Sequence, residues 1–344
     1  MQTSSYNKAI VLWLLSGALL LLAMVVIGGI TRLTGSGLSI VEWNVLSGTL
    51  PPLNEQEWLL TFEKYKQFPE YLKLNKGMTL AGFKQIFFWE YLHRLLGRII
   101  GVVFLLPFLY FLFTKQLTSR LFRRLLFILA LGMAQGLMGW LMVKSGLVDN
   151  PHVSHFRLAA HLALALTLIG VILWTVADLT SGKRIAAPRA GNPLGLTTLL
   201  VLAVVLVQII LGAFVAGLKA GFSYNTYPLM EGELLPSHVA GLTLWQTLEN
   251  GVVMQFAHRW VAMAVLLAVG LLWYRARTTH LSHPARTLTW ALLLTCMAQV
   301  ALGIATLLLA VPVTLGVLHQ VVAVVLFALT LLLVHRLRYS ERLA

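Results

Sequence analysis

EYLHRLLGRIIGVVFLLPFLYFLF, residues 90–113, joins three ionisable side chains to an apolar run long enough to cross a bilayer. Glu90, His93 and Arg94 stand within about one helical turn of each other at its start. A lipid core penalises such groups, so a chain that keeps them at the mouth of a span has a use for them. The run is not alone. The 344 residues are 58% hydrophobic and 11% charged, and the mean hydropathy is +0.82. Eight stretches pass the length test: roughly 10–30, 93–113, 122–143, 157–177, 196–217, 254–274, 287–309 and 313–334. The expected fold class is an all-α polytopic membrane protein. The first run has no small-residue cleavage site after a short apolar core, so it reads as a retained span and not a signal peptide.

A net charge of +14 raises the question of nucleic acid, and its distribution along the chain answers it. Lys8, then Lys115, Arg120, Arg123 and Arg124, then Lys183, Arg184 and Arg189 fall on alternate sides of the span count. Arg275, Arg277 and Arg286 follow, and finally Arg336, Arg338 and Arg342. These fourteen share one side with Asp178 and Glu341, while the other ten acidic residues lie opposite. The positive-inside rule places both termini in the cytoplasm, or in the matrix if the source is an organelle. The basicity is then a matter of topology, and no nucleic-acid partner is expected. Cys296 is the only cysteine, which excludes an intrachain disulfide and a cysteine-based metal site. The one long outer connection, residues 31–92, contains NEQEWLLTFEKYKQF. That segment puts Trp58, Leu59, Phe62 and Tyr65 on one helical face, either resting at the membrane interface or lidding an outward-facing site.

The chain repeats itself. Residues 28–52, GGITRLTGSGLSIVEWNVLSGTLPP, align without a gap to residues 212–236, GAFVAGLKAGFSYNTYPLMEGELLP. EYLHR (90–94) matches QFAHR (255–259), and Ala134-Gln135 matches Ala298-Gln299. Each half crosses four times, so the repeat is parallel. The expected architecture is two similar four-helix bundles, residues 1–185 and 186–344.

Four histidines enter spans from the outer side: His93, His161, His258 and His319. His93 to Lys115 and His161 to Lys183 are each 22 residues, whereas His258 to Arg275 and His319 to Arg336 are each 17. Each pair therefore sits at a matched depth in its own half. His155 would lie six residues too far out to pair with His93, and it reads with His152 as an interfacial loop residue. Two imidazoles from different helices at equal height suit the axial positions of a haem iron. Small residues four positions on, Gly97, Ala165, Ala262 and Ala323, leave room beside each ligand. Zinc would require further ligands that do not recur in both halves. Arg94 and Arg259 either meet haem propionates or snorkel toward the interface. The halves differ at one telling place: Glu90 precedes His93 where Gln255 precedes His258. An acid can exchange a proton and an amide cannot, so one site is expected to do chemistry and the other to hold a cofactor. The alternative is that Glu90 pairs with Arg94 or favours the helix start.

These stretches resemble the haem A synthase family over essentially the whole chain. The match is carried by GGITRLTGSGLSIVEW, EYLHRLLGRIIG, HFRLAAH, FSYNTYPLMEG, QFAHRW and LGVLHQ, taken in that order. The resemblance implies oxidation of the C8 methyl of haem O to a formyl group by two successive hydroxylations, giving haem A for terminal oxidases. It implies haem b as cofactor on His258 and His319, with Arg259 beside it. The substrate haem is implied on His93 and His161, with Arg94 beside it and Glu90 as the essential acid. Haem O synthase and cytochrome oxidase assembly factors are the implied partners, and the bacterial inner membrane is the implied location, ahead of the mitochondrial one. Some bacterial members carry a cysteine pair in the first outer loop. Its absence here places the resemblance with the proteobacterial and mitochondrial subtype. Two other readings fit four histidines: a two-haem electron-transfer protein of the cytochrome b type, and a haem carrier.

Overall fold

The computed structural model describes residues 8–43, 47–148, 151–181, 193–234, 236–237 and 241–338. Lys183, Arg184, Arg189, Glu341 and Arg342, which entered the charge argument, lie outside the described residues, as does the expected boundary at 185/186. The fold is all-helical in its long elements. α1 (Lys8–Leu33), α4 (Leu80–Phe113), α5 (Ser119–Gly146), α6 (His155–Thr180), α7 (Pro193–Gly217), α9 (Gly251–Arg277), α10 (His283–Leu308) and α11 (Val313–Arg338) are the eight long apolar helices among the described residues. Shorter helices α2 (Glu55–Tyr65), α3 (Pro69–Lys73) and α8 (Leu244–Glu249) lie in the connections.

Their ends are set by local chemistry. Thr79, Thr118 and Asn250 cap α4, α5 and α9 by accepting from backbone N–H groups of the first turn. Thr243 and Gln246 close a reciprocal capping box on α8. Buried threonines inside spans, among them Thr175, Thr198 and Thr330, bond back to the carbonyl four residues earlier and so carry no unmet polarity into the apolar interior. Large apolar side chains such as Leu19, Phe113 and Leu267 point outward, as they do when the surrounding solvent is hydrocarbon.

Two compact units emerge, Leu19–Ala165 on one hand and residues 1–18 with 166–344 on the other. In the second, α7 packs on α9, α9 on α10, α10 on α11 and α11 back on α7, a closed ring of four helices. A 2.8 Å bond joins His335 of α11 to Asp178 of α6, with Trp174 edge-on to the imidazole. In the first, α4 packs against α5 and against α2.

α4 runs for 34 residues, longer than a span needs, and its extra turns carry the outer connection. Phe83 and Phe87 of α4 form a buried aromatic cluster with Phe62 and Tyr65 of α2, and Trp58 lies edge-on to both phenylalanines. The apolar face of α2 is thus spent on protein. Leu59, placed on that face in the sequence reading, stays exposed. Tyr65 donates to Glu70 at 3.0 Å and accepts from Asn75 at 2.7 Å. Burial pushes its phenol above the ordinary tyrosine range.

Candidate functional site

Each unit holds one histidine pair, His93 with His161 in the first and His258 with His319 in the second. All four rings are half-buried. The imidazoles of His258 and His319 are perpendicular, with centroids 6.4 Å apart. Two imidazoles bound to one metal from opposite sides at about 2 Å per bond hold their centroids roughly 6 Å apart. Rings so spaced would leave His258 and His319 able to hold one metal ion between them.

Glycines make the room. A Cβ on Gly28 of α1 would lie 3.1 Å from Cε1 of His93, and one on Gly212 of α7 would lie 3.0 Å from Cε1 of His258. A Cβ on Gly139 of α5 would lie 3.4 Å from Cε1 of His161, and one on Gly303 of α10 would lie 2.9 Å from Cε1 of His319. Every ligand candidate therefore rests on a glycine of the helix beside it, in the same order in both units. Gly28 and Gly212 belong to the aligned repeat. Gly139 and Gly303 were missed, although AQxxxG occurs at 134–139 and again at 298–303. A Cβ on Gly97 would lie at an ordinary contact distance, 3.6 Å, from the Met24 methyl.

Glutamines complete the surroundings. The amides of Gln135 and Gln299, one turn before those glycines, lie 3.2 and 3.4 Å from Nε2 of His161 and His319. Gln208 lies 3.0 Å from Nδ1 of His258. Nδ1 of His93, His161 and His319 and Oε1 of Gln135, Gln208 and Gln299 are buried without a hydrogen-bond partner among the described residues. So many orphaned atoms around two clefts mark a place where a polar guest belongs. No group of three or more His, Cys, Asp or Glu side chains gathers among the described residues. Two histidines suffice when the metal brings its own equatorial nitrogens, as a haem iron does. The donor set, the glycine cradles and the ring spacing fit a bis-histidine haem.

Glu90 stands one turn before His93, buried to 3% exposure. Its Oε2 accepts from the Ser39 hydroxyl at 2.7 Å and the Ile40 N–H at 2.8 Å, and its Oε1 accepts from Nη2 and Nε of Arg94 at 2.6 and 3.1 Å. Arg94 also donates to the carbonyls of Ile40 (2.7 Å) and Glu42 (2.8 Å), with its guanidinium over Trp43. The second unit repeats this clamp. Arg259 donates to the carbonyls of Tyr224 and Thr226, both at 2.7 Å. In the alignment these are the counterparts of Ile40 and Glu42.

The Glu/Gln difference is built into the hydrogen bonding. All four partners of Glu90 are donors, which suits an acceptor-only carboxylate. Gln255 instead donates its amide to the carbonyls of Ala220 and Tyr224, at 2.9 and 3.1 Å, and accepts from Arg259 at 3.2 Å. The pairing of Glu90 with Arg94, one of the two readings open from sequence, is present. The donors of Arg94 and the two Nη groups of Arg259 go to loop carbonyls and to Glu90 or Gln255, whereas Nε of Arg259 is buried without a partner among the described residues. His155 opens α6 and is a residue of the helix, not of the loop before it.

Comparison with known proteins identifies the family. Residues 11–331 match the model of a family described as cytochrome oxidase assembly protein. A "Heme A synthase" of Nitrosospira multiformis is 47% identical over 98% of this chain and 96% of its own length. Proteins of the same name are 44% identical in Nitrosomonas eutropha, over 94% of this chain and 92% of theirs. In Parvibaculum lavamentivorans the identity is again 44%, over 98% and 96%.

Proposed function

Since the chain belongs to the cytochrome oxidase assembly protein family, we propose that it is a haem A synthase, a membrane oxidoreductase that acts on a methyl group of haem O. The observation that carries the reading is the paired arrangement of His93 with His161 and His258 with His319, each ring seated on a glycine. His258 and His319 would hold haem b as the resident cofactor, which supplies electron transfer when bound. His93 and His161 would hold the iron of the substrate. Overall the C8 methyl would gain one oxygen and lose four electrons and four protons to an external oxidant, through two hydroxylations to a geminal diol that loses water to leave the formyl group of haem A.

The chain's own residues contribute position and charge. Glu90 is a fixed negative charge one turn from His93, and it can offset positive charge that develops on the substrate beside it. With Arg94 it also ties Ser39, Ile40 and Glu42 to α4, which holds the outer connection over that end of the span. Arg94 and Arg259 stand where a propionate would compete with loop carbonyls for their donors. Haem O carries a long isoprenoid tail and reaches such a site from lipid, which accounts for a catalyst made of membrane helices. We take residues 1–185 and 186–344 as the substrate and cofactor halves, and both termini as cytoplasmic in a bacterial inner membrane.

Co-expression with haem O synthase in a host without haem A tests the proposal. Extracted haems are resolved by mass spectrometry, and haem A is expected. Haem O alone, from a correctly inserted protein, would overturn the reading in favour of an electron-transfer protein or a carrier.

A further inference from the structure

Two arginines of the first unit have no cationic counterpart in the second. Arg32 of α1 lies four residues past Gly28, the seat of His93, and the same count past Gly212 falls on Ala216. Arg157 of α6 lies four residues before His161, and the same count before His319 falls on Leu315. Four residues is about one helical turn, so each arginine shares the face of a ligand or of a ligand's glycine. Both stand at the end of the unit where Glu90 lies. The Thr31 hydroxyl donates to the Trp89 carbonyl at 3.3 Å, which sets the end of α1 beside the turn of α4 that carries Glu90. Nη1 of Arg157 donates at 2.7 Å to the carbonyl of Leu141, two residues past the glycine under His161. The other two helices follow the pattern, with Arg98 and Lys144 matched by Met263 and Leu308. The second unit has Lys219 where the first has Gly35, but it lies past the end of α7.

A cation kept within a span is costly and marks a ligand or a partner. Arg94 does not account for a difference between the units, because Arg259 repeats it and both guanidiniums bond to loop carbonyls. A haem brings two propionates, carboxylates that are ionised at neutral pH. Arginine takes a carboxylate through paired N–H donors, with charge and direction together. We propose that Arg32 and Arg157 bind the two propionates of the substrate haem, a charge recognition built into the first unit and left out of the second. A resident haem is bound once and kept by its ligands, whereas a substrate has to be recognised at every turnover. The inference rests on reading His93 and His161 as the substrate pair. It also orients the substrate in its plane. The C8 methyl shares a pyrrole ring with one propionate, so carboxylates held at this end bring that methyl to the end where Glu90 stands.

The full-length protein, purified with haem b in place, is titrated with haem O and with the dimethyl ester of haem O. Binding is read from the change in Soret absorbance. The wild-type protein should bind the ester about tenfold more weakly or worse, since the ester offers no charged acceptor. Arg32→Ala and Arg157→Ala should each weaken haem O about tenfold and leave the affinity for the ester unchanged. Arg32→Lys and Arg157→Lys, which keep the charge and lose the fork, should recover part of the difference. Equal affinities of the wild-type protein for haem O and its ester would overturn the proposal without recourse to any variant. Variants that weakened both ligands alike would overturn it too, because a brace between helices would act on both. Haem O binding that survived His93→Ala and His161→Ala would instead overturn the reading of that pair as the substrate's. The spectrum of the resident haem b reports whether each variant is folded, and where it is lost the wild-type comparison decides.

Discussion

Glu90 carries the sharpest residue-scale consequence. An amide there must point its NH2 either at Arg94 or at the Ser39 hydroxyl and the Ile40 N–H, and donors lie both ways apart from a turned serine hydroxyl. Glu90→Gln therefore leaves a buried guanidinium without its counter-charge, at a cost on the order of 3 kcal/mol. Its effect on haem A formation combines a lost charge with a loosened clamp. Ser39→Ala separates the two: it removes one bond and keeps the charge. Haem A yield near the wild-type level in Ser39→Ala, with almost none in Glu90→Gln, is the expected outcome, and equal loss in both would make Glu90 a structural residue. The glycines give a graded series. Gly303→Ala and Gly212→Ala place a methyl 2.9 and 3.0 Å from a ligand ring, whereas Gly139→Ala places it at 3.4 Å. Haem content of the purified variants should fall most for the first two and least for Gly139→Ala, read from the Soret absorbance per chain. Glutamate against glutamine was visible in the sequence because the repeat gave a comparison. The donors from Ser39 and Ile40 come from a loop some fifty positions earlier, and only folding brings them to Glu90.

At the scale of elements, α2 and the outer turns of α4 make an independent prediction. Phe83 is fully buried and stacks on Phe62 at 4.9 Å, with Tyr65 at 5.1 Å. Phe83→Ala should cost about 3–5 kcal/mol of local stability. Limited proteolysis would show it as rapid cleavage between residues 55 and 78, while the spans stay protected. Tyr65 adds a pH dependence. Its phenol titrates above the ordinary range when folded, so its contribution is complete below about pH 10 and is lost as pH rises further. Cleavage of the outer segment should therefore accelerate in alkali before the spans unfold. The amphipathic period of α2 was legible, and to the interface and the site considered from sequence the structure adds the outer turns of α4 as a partner for its apolar face. α4 outruns the bilayer, and that surplus gives the face a protein surface to cover.

For the whole molecule, the lysines and arginines give an orientation that chemistry can check. Cys296 is the only cysteine and is 1% exposed, so an added cysteine can be labelled selectively. Lys73→Cys should react with an impermeant maleimide on intact cells, and Arg286→Cys only after the inner membrane is opened; the reverse pattern would invert the topology. The sequence by itself determined that the chain is made of membrane helices, and its internal alignment and residue counts set the expectation of a repeat with four histidines in two depth-matched pairs. Those features are periodic or one-dimensional: apolar length, charge alternation and residue counts along a helix with a fixed rise. Tertiary structure decided which side chains complete each site. Gly139 and Gly303 reach their histidines, Gln208 reaches His258, and Arg94 and Arg259 reach loop carbonyls across helices that are distant in the chain. Such contacts depend on how helices rotate and approach, and sequence spacing fixes the face of a helix without naming the neighbour it meets.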